Sequence, residues 1–298
     1  MEYSGEEGSG EMVPSTVKAF SMKRASGTAI AYKAQTQKSS IHRRDVGEEE
    51  FDNQISEVAQ YGRVQFWDAR FLEDGTEPFD WYYGYEYFRG VILENVPTDK
   101  RVMVAGVGSS TMAEELVADG YTNVVAQDIS RVAIAQLRIR NKALAAITYE
   151  TCNMTDSNLP PGSFGAIIDK ALLDSLMCSS MGNNVVGQYV AEVIRLLADD
   201  GVFVCISHGG PEDLLSLLEQ YDLDEPGYTP WYIDVCAVLK PQMLEGEELD
   251  ADNPDHLYWC YTATKDPLMV KRRSDREEKM RGKNKKKYVK PTVKAPNL

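Results

Sequence analysis

The chain has 298 residues, 46 Asp and Glu against 32 Lys and Arg, and a formal net charge of −14. It contains no run of about eighteen apolar residues, so no membrane-spanning helix is expected, and its acidic start, Met1 to Glu7, lacks the apolar core of a secretory signal. Five scattered cysteines without a Cys-x-x-Cys pair, and three histidines (His42, His208, His256) without ligand spacing, argue against a metal site and for reduced thiols in a cytoplasmic or nuclear protein.

Residues 1–48 are rich in Ser, Gly and Glu and carry no sustained helical or strand period, which predicts a disordered extension. A single domain is expected over 49–268. It opens with an aromatic stretch from Phe66 to Phe88 that reads as helix packed on a sheet, broken at Pro78-Phe79-Asp80-Trp81. That break puts Trp81 at a turn just ahead of a glycine loop, where an indole can cover a ligand edge or attract a cation.

Val102-Met103-Val104-Ala105 is a buried strand, Gly106-Val107-Gly108 a tight turn, and Thr111 to Gly120 a helix. Val124-Val125-Ala126 is the second strand, with Asp128 at its end, and Ser130 starts an amphipathic helix running to about Ala146. Ile147 to Thr151 is a third strand, followed by a polar loop with Asn153. Phe164 to Ile168 is a fourth strand, ending at Asp169-Lys170. A helix over Asn183 to Ala198, a fifth strand over Val202 to Ile206 and a helix over Pro211 to Tyr221 come next. Strands near Tyr232 to Leu239 and Leu257 to Thr264 flank an acidic loop. The order predicts an α/β, Rossmann-like, seven-stranded sheet, mostly parallel with an antiparallel edge strand and helices on both faces. Residues 269–298 form a basic tail, with twelve Lys or Arg from Lys271 onward, expected to be disordered.

An apolar strand, a glycine turn, a helix and an acidic residue twenty positions past Gly108 are how such a sheet builds a nucleoside pocket. The glycines let backbone approach the ligand, and the Asp128 carboxylate accepts from ribose hydroxyls. A dinucleotide fingerprint needs a third glycine where Thr111 stands. Ser109 and Ser110 suit an N-cap or the amino-acid end of a cofactor equally well. S-adenosylmethionine, a nucleoside without phosphate, fits better than NAD.

Val102 to Ser110, Gly120 through Asp128-Ile129-Ser130, and Asp169-Lys170-Ala171-Leu172-Leu173-Asp174-Ser175-Leu176 resemble class I S-adenosylmethionine-dependent methyltransferases. More narrowly, they are similar to the methyltransferase-like enzymes that modify lysines of translation elongation factor 1-alpha. In that group a Tyr-Trp-Asp-x-Arg-Tyr segment precedes a Tyr-Asp-Trp turn; here the two read Phe66 to Phe71 and Phe79-Asp80-Trp81. The resemblance covers about residues 60 to 265. It implies cofactor contacts from Trp67, Phe71, Trp81, Gly106, Gly108, Asp128, Ile129, Asn153, Met154 and Lys170. The family usually has Asp where Asn153 stands, and Gly-Thr where Ala171-Leu172 stand. Lys170 also reads as a strand-end cation paired with Asp169, and Asp174 as either a channel residue or a cap.

Methyl transfer from a sulfonium needs alignment and exclusion of water more than a nucleophilic triad. A lysine acceptor must be drawn in as a cation and lose a proton, roles for which Tyr82 and Asp174 are the candidate catalytic residues, with Trp81 and Tyr83 beside them. Residues 51–270 hold 35 acidic and 13 basic residues, which favours a basic protein substrate such as elongation factor 1-alpha and disfavours nucleic acid, the basic tail excepted. Other acceptors (an N-terminal amine, a small amine, RNA), a non-catalytic scaffold that kept the cofactor fold, and a nicotinamide dehydrogenase remain open alternatives.

Overall fold

The computed structural model describes residues 59–179, 182–219, 231–240 and 253–265. The expected N-terminal extension and basic tail, and most of the acidic loop, lie outside these residues. After a short turn of 3-10 helix (Ala59–Gly62) the chain forms helix α1 (Val64–Asp74), α2 (Tyr85–Asn95), strand β1 (Val102–Ala105), α3 (Met112–Ala118), β2 (Val124–Asp128), α4 (Arg131–Arg140) and β3 (Ile147–Thr151). It continues through β4 (Phe164–Lys170), α5 (Leu172–Met177), α6 (Gly182–Leu196), β5 (Leu197–Ser207), α7 (Pro211–Glu219), β6 (Trp231–Leu239) and β7 (Leu257–Lys265).

The strands form one sheet in the order β3-β2-β1-β4-β5-β7-β6. The pairs from β3 to β5 are parallel, and antiparallel pairing is confined to one side, where β7 runs between β5 and β6. This is the expected Rossmann-like sheet. The path from β1 goes outward through β2 and β3, then returns to β4 on the other side of β1. The reversal opens a crevice at the carboxyl ends of β1 and β4, where such sheets bind ligands.

Successive residues of β1 alternate between two cores. Val102 and Val104 join Phe88, Ile92, Leu116, Ile134 and Leu137 from α2, α3 and α4. Met103 and Ala105 join Leu173, Tyr189, Val193 and Leu214 from α5, α6 and α7. With both faces covered, β1 and β2 are buried along their whole length, which is why they read as unbroken apolar runs.

Several boundaries shift from the pattern-based expectation, β5 starting at Leu197 rather than Val202, and one early helix end and one additional helix have identifiable causes. Helix α4 starts where predicted, with the Ser130 hydroxyl accepting from Ala133 N at 3.2 Å, but it ends at Arg140 rather than near Ala146. Asn141 closes it, donating its backbone N–H to Leu137 O. Turns at Leu144 and Ile147 then lead into β3. The short helix α5, not expected from periodicity, is nucleated by a side chain. Asp169 accepts from Leu172 N at 2.8 Å and from Leu173 N at 3.0 Å, and Tyr189 OH of α6 donates to the same carboxylate at 2.7 Å.

Burial pushes the Asp169 carboxyl up to about 7, against the pull of the Tyr189 bond. Removing that donor strands a buried acceptor. Tyr189→Phe is therefore expected to destabilise the fold by about 1.5–3 kcal/mol, the scale for a hydrogen bond to a charged group, read as a lower urea midpoint at unchanged slope.

Candidate functional site

The twelve candidate cofactor-binding and catalytic residues line one cleft of about 400 Å³ at the carboxyl ends of β1, β2 and β4, while Tyr83, named beside them, packs instead against Tyr87 and Tyr258. Gly106 and Gly108 leave β1 with φ of 60° and 57°, the left-handed region that glycine enters without cost. A Cβ on Gly106 would stand 2.9 Å from that of Leu172, and one on Gly108 would stand 3.4 Å from Phe71. The turn is thus packed from both sides and open only toward the cleft.

Side chains from β2 hold this turn. Gln127 accepts from Gly106 N at 3.0 Å, and donates to Cys152 O at 2.7 Å, tying the glycine turn to the loop after β3. Asp128 accepts from Gly108 N at 2.9 Å with one oxygen and from Ser130 N at 2.8 Å with the other. Each oxygen keeps a second lone pair, so the carboxylate can still accept from two hydroxyls. Asp128 stands at the strand end as the sequence suggests but is buried there, which pushes its carboxyl up to about 6 while the backbone donors pull it down.

Arg140 supports the loop from behind, donating to Ser109 O at 2.8 Å and Ser110 O at 2.6 Å while pairing with Glu114. Ser109 lines the cleft, and its buried hydroxyl has no hydrogen-bond partner among the described residues. A free hydroxyl, left-handed glycines and an acceptor-only carboxylate suit a nucleoside bearing an amino-acid chain, and they leave no third glycine for a pyrophosphate. Ile129, about a third exposed, borders the cleft past Asp128. Asn153 spends one acceptor site on Thr155 N at 3.0 Å and keeps another, and Met154 backs the cleft from the core.

Aromatic rings form one wall. Tyr61, Trp67 and Phe71 stack in a column with centroids 5.8 Å apart at each step, and the Trp67 indole donates to Tyr61 O at 2.7 Å. Arg70 lies over both Phe79 and Trp81, at 5.1 and 5.2 Å from the ring centroids. The turn bearing Trp81 is pinned by Lys170, whose Nζ donates to Trp81 O at 2.8 Å and lies 2.7 Å from Asp80 Oδ1. The alternative pairing of Lys170 with Asp169 does not occur: Lys170 pairs with Asp80, and Asp169 is engaged by the first turn of α5. Burial lowers the Lys170 ammonium from its ordinary range, opposed by Asp80.

The far end of the cleft is acidic. Asp174 sits in the first turn of α5 but caps nothing. Its Oδ1 accepts from Ser207 Oγ at 2.6 Å and lies 3.1 Å from His208 Nδ1, while its buried Oδ2 has no hydrogen-bond partner among the described residues. Of the two sequence readings, the cap is not what its side chain does here: Asp174 lines the cleft. Tyr82, with φ of 74°, is held in that strained backbone by Tyr258, whose hydroxyl donates to Tyr82 O at 3.1 Å. The Tyr82 hydroxyl is 2.9 Å from His208 Nδ1, and burial, then Asp174, holds its pKa far above the ordinary value.

Sequence reasoning passed over Tyr61, Gln127, Arg140 and His208. Gln127 and Arg140 carry no motif of their own, and Tyr61 lies before the aromatic stretch. His208 lacks metal-ligand spacing, and the signal it does carry is its place just after the end of the fifth strand, where the crevice lies.

The family model of the methyltransferase domain matches residues 103–205. The mouse EEF1A lysine methyltransferase 4 is 30% identical over 161 residues, covering 51% of this chain and 63% of that protein. The bovine and human eEF1A lysine and N-terminal methyltransferases are 32% and 31% identical over 193 residues, covering 63% of this chain and 27% of each. The chain thus spans less than two thirds of the length of these relatives, and it resembles class I methyltransferases of that kind.

One departure from the resembling pattern has a structural cost. Ala171 occupies φ 75°, ψ −3°, where the resembling enzymes place glycine. Ala171→Gly is expected to stabilise the protein by about 1 kcal/mol, read as a raised urea midpoint.

Proposed function

We propose that this chain is an S-adenosylmethionine-dependent methyltransferase that modifies a lysine amine on a basic protein, with translation elongation factor 1-alpha as the first candidate. The observation that carries this reading is the pairing, within one cleft, of a nucleoside-type site at Gly106, Gly108 and Asp128 with a buried carboxylate, Asp174, whose Oδ2 lacks a donor. A primary ammonium supplies such a donor. The relatives, which carry elongation-factor lysine methyltransferase activity in their names, support the same acceptor class.

When bound, S-adenosylmethionine supplies a methyl group on a positively charged sulfur. Asp128 would hold the ribose hydroxyls, the Ser109 hydroxyl and glycine turn the amino-acid end, and Ile129 with Asn153 the base. Trp67, Phe71 and Trp81 exclude water from the cleft, and Lys170 keeps the Trp81 turn closed over it. Tyr82 stays a neutral phenol beside Asp174, and together they orient the incoming amine. The excess of 35 acidic over 13 basic residues in 51–270 draws a basic surface toward the protein and repels nucleic-acid phosphate. The names of the larger relatives also include N-terminal methylation, which makes a chain-terminal amine the second acceptor to test.

Calorimetry is expected to show binding of S-adenosylhomocysteine and none of NAD. Because the ribose hydroxyls need an ionised acceptor and Asp128 titrates at about 6, affinity should be level above pH 7. It should fall toward tenfold per pH unit below about 6. A preference for NAD would remove the cofactor assignment.

The substrate is tested by mass spectrometry of elongation factor 1-alpha after incubation with enzyme and S-adenosylmethionine. An added methyl on a lysine is expected, at a rate that falls as salt rises from low to physiological strength, because the attraction is screened beyond about 8 Å. A methyl found only on another lysate protein would remove this substrate and leave the transferase.

A further inference from the structure

We propose that His208 is the proton acceptor that turns the target ammonium into the attacking amine, with Asp174 orienting its ring. The inference rests on the amine-methyltransferase reading above and deepens it by assigning the proton.

His208 follows the last residue of β5 and lines the same cleft as Gly106, Tyr82 and Asp174. Its Nδ1 is 3.1 Å from Asp174 Oδ1 and 2.9 Å from the Tyr82 hydroxyl. An ionised carboxylate only accepts, so the contact with Asp174 places the ring proton on Nδ1 and leaves Nε2 with a free lone pair. The arrangement is that of a base held by an orienting carboxylate. The side chain is 62% exposed, so a proton taken from the substrate can pass on to water.

Relative basicity decides between the two residues. A lysine amine has a reference pKa near 10.4, an imidazole near 6.5 and an aspartate near 3.9. By these reference values a carboxylate would have to bridge more than about six pK units, while an imidazole bridges about four. The groups acting on the ring are Asp174 on α5, Tyr82 on the turn before α2 and, through its charge, Lys240 just after β6. The Asp174 hydrogen bond raises the imidazole above its ordinary 6.5, against burial and Lys240, which narrows the gap further. Asp174 Oδ2 receives the ammonium, one N–H proton moves to Nε2, and the imidazolium is stabilised across Nδ1 by the same carboxylate. The freed lone pair forms the N–C bond as the C–S bond breaks, with its electrons going to sulfur. His208 then releases its proton to solvent.

The test uses the full chain and His208→Asn, whose amide can still donate toward Asp174 but offers no base, with His208→Gln as a second variant should the first not fold. For lysine methylation, kcat at pH 7.5 is expected to fall at least tenfold, with KM and S-adenosylhomocysteine affinity within about twofold. The wild-type acidic limb above pH 6.5 should disappear, and the deficit should shrink toward pH 10, where lysine loses its own proton. Independently of turnover, histidine NMR of the cofactor-free protein should show one imidazole, absent in His208→Asn, titrating above 6.5 and shifting down in Asp174→Asn. A wild-type pH profile in both variants, or an imidazole insensitive to Asp174→Asn, would overturn the assignment to His208 while leaving lysine methylation intact. A wild-type enzyme that methylates no amine would overturn the functional reading and this inference together.

Discussion

The glycine turn after β1 is the part of the molecule on which the rest of the site depends, and it is a turn that does not hold itself. Gly106 and Gly108 present backbone N–H groups with no partner in the sheet, and both are taken by side chains of β2, Gln127 and Asp128. Arg140 takes the carbonyls of Ser109 and Ser110 on the other side. A loop fixed by side chains from a neighbouring strand and helix is rigid before any ligand arrives, so little ordering remains to be done on binding.

Three buried carboxylates near this turn are satisfied to different degrees, and the degree separates scaffold from chemistry. Asp169 takes two N–H groups at the start of α5 and the Tyr189 hydroxyl, and has no capacity turned toward the cleft that the structure leaves unused. Asp128 takes two backbone donors and keeps a lone pair on each oxygen. Asp174 takes Ser207 and faces His208 on one oxygen only. Burial raises both Asp128 and Asp169 above the ordinary carboxylate value. The native state therefore binds more protons than the unfolded chain between about pH 4 and 7, and their contribution to stability declines as pH rises through that window. Donors brought by a ligand at Asp128 offset that loss.

The aromatic wall depends on an ion pair rather than on the rings alone. The segment between α1 and α2 carries Phe79, Asp80, Trp81 and the strained Tyr82, and Lys170 reaches it from the end of β4 through Asp80 and the Trp81 carbonyl. The same turn thereby connects two parts of the cleft wall: Trp81 beside the aromatic column, Tyr82 beside Asp174 and His208.

Local pattern determined much of this protein. The apolar runs of β1 and β2, the glycine turn and Asp128 at the next strand end are legible because each is contiguous in sequence and obeys a fixed period, and together they specify the sheet and the crevice at its carboxyl ends. The break in the aromatic stretch and the Ser130 cap are legible for the same reason. What the pattern does not carry is pairing between residues far apart in the chain. That Lys170 meets Asp80 and not Asp169, that Asp169 instead nucleates α5, that Arg140 braces Ser109 and Ser110, and that His208 closes on Asp174 and Tyr82 follow only from the strand order β1-β4-β5. That order brings the ends of three strands and one turn to a single crevice. A charged side chain chooses its partner by distance and burial, and both are properties of the folded sheet.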